Sequence, residues 1–148
     1  MKKIITVFLL LIALVACKTY TEDDKKSFDL TITSFLKKQH ITCQKTASGL
    51  YYKIIQPGKG EYIKFQDIIS FSYRGTFLDG KLFDKQVKPI EFPVKELIPA
   101  WKEILLELQP GAEIYMVVPP HLGYGDNDLD DIPPHSILVF KMKIHSVK

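Results

Sequence analysis

The sequence has little net charge, few histidines and only two cysteines, and each shortage excludes a class of protein. Its 148 residues carry 20 lysines and arginines against 17 aspartates and glutamates, a net charge of +3. Nucleic-acid-binding proteins usually carry a basic stripe, so we expect no nucleic-acid partner. The hydrophobic fraction of 46% is typical of a globular protein, and the length leaves room for one domain with a modest core.

Metal ligands and cofactor motifs are also scarce. The four histidines are not spaced as zinc ligands. Asp126, Asp128 and Asp130 alternate as in a calcium loop, but Asp131 and Ile137 occupy the positions where that loop needs glycine and glutamate. No phosphate-binding loop, dinucleotide fingerprint or serine-hydrolase motif occurs. We therefore expect no bound metal and no cofactor.

The N-terminus has the features of an export signal. Two lysines precede a run at 4–16 that is apolar except for Thr6, and this run is too short to span a bilayer comfortably. The letters LVAC at 14–17 resemble the lipobox of bacterial lipoproteins. We expect a signal peptide at 1–16, a lipid on Cys17 and anchorage to a bacterial envelope membrane, the outer membrane in the first instance, facing the periplasm or the surface. A plain secretory peptide and an uncleaved anchor are the alternatives.

The remaining thiol, Cys43, then has no partner for an intramolecular disulfide. No motif around it supports a nucleophile, so we expect a partly buried small side chain. The stability of the fold must come from packing.

A helix is predicted over 21–39. Thr21 is a suitable N-cap, acidic residues follow in the first turn, and the pattern ends near Gln39. A stalk, a dimer contact and a pad packed on the domain are all compatible with this helix. An apolar face at helical spacing favours packing on the domain. Its members are Phe28, Ile32, Phe35 and Leu36.

From Leu50 onward the hydrophobic period changes to two, which predicts strands. We expect them at 50–55, 68–73, 112–118 and 137–147, with a type I′ hairpin at Asp79-Gly80. Alternation in the last strand predicts that Phe140 and Met142 face the core and that Val139 lies on the mostly solvent-facing side. One helix follows Glu96 with an apolar face that reaches Leu108, and Pro110-Gly111 stops it. The predicted fold is therefore α+β, an antiparallel β-sheet wrapped around one short α-helix, with the extra N-terminal helix outside it.

Aromatic side chains recur through the C-terminal half, each near a signal for tight backbone geometry such as glycine or proline. This spacing suits a concave aromatic pocket that excludes water around a small apolar ligand. The residues are Tyr73, Phe83, Trp101, Tyr124 and Phe140.

Six segments, five of which contain these residues, resemble in order the FK506-binding family of peptidyl-prolyl cis-trans isomerases. The resemblance covers 49–148. The segments are 71–75, 78–84, 97–101, 108–111, 119–125 and 132–140.

The resemblance implies an FKBP-like fold, peptidyl-prolyl isomerase activity, proline-containing polypeptide substrates and binding of FK506-like macrolides. It places Trp101 at the pocket floor under the proline ring, and it makes the Ile98 amide and the Tyr124 hydroxyl donors to substrate carbonyls. It makes Asp84 the acceptor of the Tyr73 hydroxyl. The remaining residues it places in the pocket wall or at its lip are Phe83, Phe140, Ile90, Leu97 and Ile132.

We accordingly expect a signal peptide at 1–16, a lipid-anchored spacer and amphipathic helix at 17–47, and an isomerase domain at 48–148. Ile90 stands where the family often has a second pocket phenylalanine, and the rim at 126–131 is acidic. The alternative function is a non-catalytic proline-binding chaperone or a subunit of an envelope complex, for example one for gliding motility.

Overall fold

The computed structural model describes residues 20–148, so the predicted signal peptide at 1–16 and the predicted lipid site at Cys17 lie outside the described residues. Within that range the chain forms two α-helices and one six-stranded antiparallel sheet. This confirms the predicted α+β class. Neither helix is long and apolar enough to cross a bilayer within residues 20–148.

The N-terminal helix α1 spans Glu22–Lys38 and begins at the predicted cap. The Thr21 side chain accepts a hydrogen bond from the Asp24 backbone amide at 3.1 Å, and the Thr21 amide donates to the Asp24 carboxylate at 2.9 Å. This reciprocal capping box satisfies two amides that a helix start otherwise leaves without partners. The helix ends at Lys38 with Gln39 as its C-cap, as predicted.

The sheet has the strand order β1-β2-β5-β6-β3-β4, and all neighbours are antiparallel. Four strands match the predicted ones to within a few residues, whereas the long strand β4 was not predicted as a strand beyond its first residues. The strands are β1 (Gln44–Lys45), β2 (Tyr51–Gln56), β3 (Ile68–Phe77), β4 (Leu82–Pro93), β5 (Glu113–Val118) and β6 (Leu138–Val147).

The hairpin between β3 and β4 forms where it was predicted, but its turn type was wrong. Gly80 has a positive φ of 86°, whereas Asp79 does not, so the turn is not type I′. The Phe77 amide instead donates to the Lys81 carbonyl across a three-residue loop. A three-residue loop needs the left-handed conformation only at its last position, where glycine lies here.

Helix α2 spans Pro99–Leu105, with proline in its first turn, and packs in the concave face of the sheet. It ends earlier than the apolar pattern predicted. The Leu108 amide bonds to the Leu105 carbonyl, so the chain continues as a tighter turn that still buries Leu108. The core on this face therefore keeps the predicted residue without a longer helix.

Helix α1 packs on the other face of the sheet, which confirms the interpretation of its apolar stripe as a docking face. Ile32 is fully buried and Leu36 nearly so, in a cluster with strand residues that include Val117 and Val139. Val139 was assigned to the mostly solvent-facing side of the last strand, and the helix is what buries it. Cys43 is a half-buried free thiol beside this cluster, as predicted.

Candidate functional site

A cavity of about 250 Å³ opens on the concave side of the sheet, between strands β3 and β4 and the start of α2. It combines side chains from four parts of the chain, because the sheet curves around the helix and the loop after β5 closes one side. Six of the predicted site residues line it together. The full lining is Phe71, Tyr73, Ile90, Phe92, Glu96, Leu97, Ile98, Trp101 and Tyr124.

The Trp101 indole is the centre of this aromatic arrangement. Its ring centroid lies 5.2 Å from that of Tyr73, 5.0 Å from that of Phe140 and 5.5 Å from that of Phe71, and each pair meets edge to face. Such pairs add about 0.5–1.5 kcal/mol each beyond their burial. With only 6% of Trp101 exposed, the indole is held rigidly as one wall of the cavity.

Four of the predicted site residues do not line the cavity, namely Phe140, Phe83, Ile132 and Asp84. Phe140 is 1% exposed and supports both Trp101 and Tyr73. Phe83 packs edge to face on Phe140 at 5.6 Å and borders a separate groove of about 370 Å³. Ile132 is 8% exposed and belongs to the main core cluster.

The close packing of Phe83 depends on Gly75 in β3. A side-chain carbon built on Gly75 would lie 2.5 Å from the Phe83 ring and 3.0 Å from the Phe140 ring. Both distances are shorter than a normal contact, so only glycine leaves room for these rings.

Tyr73 and Tyr124 bring hydroxyl groups to the cavity and Glu96 brings a carboxylate, whereas Asp84 lies outside the lining and contacts Tyr73. The Tyr73 hydroxyl donates a hydrogen bond to Asp84 Oδ2, as predicted. Burial, and next the hydrogen bond to Asp84, raise the pKa of Tyr73. Burial, and next the nearby Asp84 charge, raise the pKa of Tyr124. Both hydroxyls therefore remain protonated donors at neutral pH.

Two further donors border the cavity. Within residues 20–148, the Ile98 amide has no backbone acceptor, and Ile98 is the N-cap of α2 without a side-chain cap. The Trp101 Nε1 is buried and has no hydrogen-bond partner among the described residues. A buried donor without a partner, such as the Trp101 Nε1, is rare and costly in native proteins and calls for an explanation such as a functional role.

Tyr124 is carried by the loop that follows β5. The Gly125 amide donates to the Pro120 carbonyl at 2.9 Å, and Gly125 itself has a φ of 66°, which glycine adopts without strain. The Asn127 side chain donates to the Tyr124 carbonyl at 2.7 Å. These bonds fold the loop so that the Tyr124 side chain reaches the cavity.

Sequence reasoning missed three lining residues. Phe71 lies two positions before Tyr73 on β3, so strand alternation alone was sufficient to place it on the same face. Phe92 lies in the part of β4 that was not predicted as a strand, and Glu96 follows that strand. No hydrophobic periodicity there indicated which way these side chains point. The structure thus adds one carboxylate and two rings to the predicted set.

Comparisons with known proteins agree with this geometry. The family model described as FKBP-type peptidyl-prolyl cis-trans isomerase matches residues 59–145. The isomerase FkpA of Escherichia coli K12 is 38% identical over 117 residues, 77% of this chain and 43% of that protein. The isomerase Mip of Coxiella burnetii is 38% identical over 106 residues, 69% of this chain and 46% of that protein. The chain thus spans less than half the length of these curated relatives.

Solved structures give the same result. The crystal structure of FkpA from Escherichia coli superposes with a TM-score of 0.74 at 33% identity, over 86% of this chain and 62% of that one. A peptidyl-prolyl isomerase from Pseudomonas syringae superposes with a TM-score of 0.71 at 26% identity, over 88% of this chain and 97% of that one.

Proposed function

This chain belongs to the FKBP-type peptidyl-prolyl cis-trans isomerase family, and from that membership we propose that it accelerates the isomerisation of Xaa-Pro peptide bonds. The observation that carries the proposal is the aromatic cavity built on Trp101, with protonated hydroxyl donors at its mouth. Its size suits a proline ring and part of the adjoining residues.

The reaction needs no nucleophile and no proton transfer, because no bond is broken. The barrier to rotation is roughly 18–20 kcal/mol, since the planar amide loses its resonance when it twists. A catalyst has to bind the twisted amide better than either planar isomer. The twisted amide has less charge separation, so a cavity shielded from water favours it.

The magnitude required is within reach of such a site. A ten-thousandfold acceleration corresponds to roughly 5–6 kcal/mol of preferential binding. Shape complementarity and two or three hydrogen bonds of about 0.5–1.5 kcal/mol each supply an energy of that order. Neither a metal nor a cofactor is needed for this chemistry.

Within this proposal each side chain has a role. Trp101 supports the proline ring, and Tyr73, Ile90 and Leu97 surround it, while Phe140 and Phe83 hold these rings in place from behind. The Tyr124 hydroxyl and the Ile98 amide donate to substrate carbonyls. Asp84 orients the Tyr73 hydroxyl and places a carboxylate near the twisting amide. Ile132 fixes the lip by its burial in the core.

We propose proline-containing unfolded or partly folded exported polypeptides as substrates, and a lipid-anchored position in the cell envelope. The support is the N-terminal sequence pattern. The proposed boundaries are 1–16 for the signal peptide, 17–47 for the lipid-anchored spacer and amphipathic helix, and 48–148 for the isomerase domain. Labelling with palmitate tests the anchor, because a Cys17→Ala variant should lose the label while a Cys43→Ala variant keeps it. Equal labelling of both variants would contradict a lipid on Cys17.

The catalytic proposal is tested with the full chain in detergent and a proline tetrapeptide in a protease-free exchange assay. We expect relaxation well above the buffer rate and competition by an FK506-like macrolide for the same cavity. Trp101→Phe, which keeps an aromatic ring, should lower the rate, whereas Tyr62→Phe, at an exposed position outside the cavity, should not. Relaxation at the buffer rate with correctly folded protein would refute the enzyme.

A further inference from the structure

Tyr20 joins the N-terminal helix to the loop that carries the cavity tyrosine. Its hydroxyl lies 2.8 Å from His135 Nδ1, within hydrogen-bond distance. Its ring packs edge to face on His135 at 5.6 Å and on Phe28 of α1 at 5.4 Å. One side chain thus contacts both the helix and the loop.

His135 occupies a backbone position that side chains rarely adopt. Its φ is 62°, in the left-handed region, where a residue other than glycine persists only if its surroundings hold it. The His135 amide donates to the Gly125 carbonyl at 2.8 Å. This bond closes the loop at its base, because Gly125 directly follows Tyr124.

These contacts form a short chain from Tyr20 through His135 and Gly125 to Tyr124. Most other loop bonds are internal, such as that from Asn127 to the Tyr124 carbonyl and that from Ser136 to the Pro133 carbonyl. They shape the loop but do not attach it to α1. Ile137 at the end of the loop packs against the α1 cluster, and Tyr20 is the side chain that hydrogen-bonds to His135 and packs on Phe28 of α1.

We propose that Tyr20 and His135 are positioning residues that hold the Tyr124 hydroxyl in its donating orientation, so that the segment preceding α1 contributes to catalysis. The proposal rests on the proposed isomerase function. Tyr20 lies outside residues 59–145, the part of the chain that matches the family model. A donor that is already oriented loses less conformational freedom when substrate binds, which strengthens its effect on the transition state.

The experiment is a double-mutant cycle in the full chain between Tyr20→Phe and Tyr124→Phe, read as kcat/KM for a proline tetrapeptide. Tyr20→Phe removes only a hydroxyl, so we expect a loss of about 2- to 10-fold, the range for one hydrogen bond. In the Tyr124→Phe background the same change should have no further effect. Equal losses in both backgrounds would overturn the proposal, because a merely structural role is additive.

Hydrogen exchange gives an independent reading. Tyr20→Phe should raise the exchange rate of the His135 amide several-fold without changing protection in β5 and β6. Tyr52→Phe is the matched control, since that hydroxyl also makes one hydrogen bond, to Gln44, but lies away from the loop. Unchanged exchange at His135 would overturn the proposal. If the wild type proves inactive, the isomerase function fails, and this measurement still decides whether Tyr20 holds the loop.

Two substitutions of His135 separate its side chain from its strained backbone. Asparagine accepts the left-handed conformation and places an oxygen near the position of Nδ1, so His135→Asn should retain most activity. Glycine relieves the strain but removes the hydrogen-bond partner of the Tyr20 hydroxyl, so His135→Gly should match the loss in Tyr20→Phe. Full activity in His135→Gly would show that the contact to Tyr20 has no role.

Discussion

The Tyr73 hydroxyl donates a hydrogen bond to the Asp84 carboxylate across two paired strands, and this bond holds in place a side chain that lines the cavity. Tyr73 lies in β3, and Asp84 pairs with Gly75 of the same strand. The register therefore places Asp84 opposite a residue that lies two positions beyond Tyr73 and on the same face of the sheet. The hydroxyl cannot turn away from the site without losing this bond.

We expect the Asp84 acceptor to matter more than its charge. Asp84→Leu leaves the Tyr73 hydroxyl without its partner and should lower kcat/KM about 3- to 10-fold, as one lost hydrogen bond predicts. Asp84→Asn keeps an acceptor oxygen and should lose less. Glu91→Gln removes a charge from the same strand away from the cavity and should have no effect. Equal losses in the leucine and asparagine variants would show that the charge is what matters.

We expect Gly75→Ala to destabilise the fold and disturb the aromatic cluster together. The added carbon would meet the Phe83 ring at 2.5 Å, so the ring has to move. Overpacking of this kind typically costs about 1–3 kcal/mol. The measurement is the free energy of urea unfolding, with the near-ultraviolet circular dichroism of the rings as a second signal.

Gly80→Ala supplies the comparison for this prediction. Gly80 has nothing within 4 Å of an added carbon but has a positive φ, so its cost is backbone strain alone. It should lower stability while leaving the aromatic signal unchanged. An altered aromatic signal in Gly80→Ala, or none in Gly75→Ala, would contradict the assignment.

The parts of the fold that were predicted correctly are those in which a local rule determines the conformation. Thr21 caps α1 because a threonine before an acidic turn satisfies the helix amides in any context. Alternation in β6 placed Phe140 and Met142 toward the core for the same reason. That Trp101 and Tyr73 meet was implied by the family resemblance and not by a local rule.

What could not be predicted depends on partners distant in sequence. Val139 is buried because α1 packs over it, and the sequence pattern of β6 does not indicate that contact. The direction of Phe92 depends on an irregular register in which the pairing of β3 with β4 shifts between Phe71 and Tyr73. The Tyr20–His135 contact joins residues 115 positions apart and has no local signal.

We expect Ile32→Ala to detach or loosen α1. Ile32 is fully buried between the helix and the sheet, and truncating such a residue costs about 2–5 kcal/mol. Leu30→Ala is the matched control on the same helix, since Leu30 is 62% exposed and should be nearly neutral. The free energy of unfolding measures both. A small effect of Ile32→Ala would mean that the helix contributes little to the stability of the domain.

We expect the folded state to lose stability above about pH 10, the usual pKa of tyrosine. Burial raises the pKa of Tyr115 to about 12, and burial also raises those of Tyr73 and Tyr124. Because these pKa values are higher in the folded than in the unfolded state, the stabilisation is complete below pH 10 and is lost as the pH rises toward 12.

Urea unfolding between pH 8 and about 11.5 measures this loss. Tyr115→Phe should reduce the slope in that window. An unchanged slope in Tyr115→Phe would show that its hydroxyl is not desolvated by the packing of α1 on the sheet.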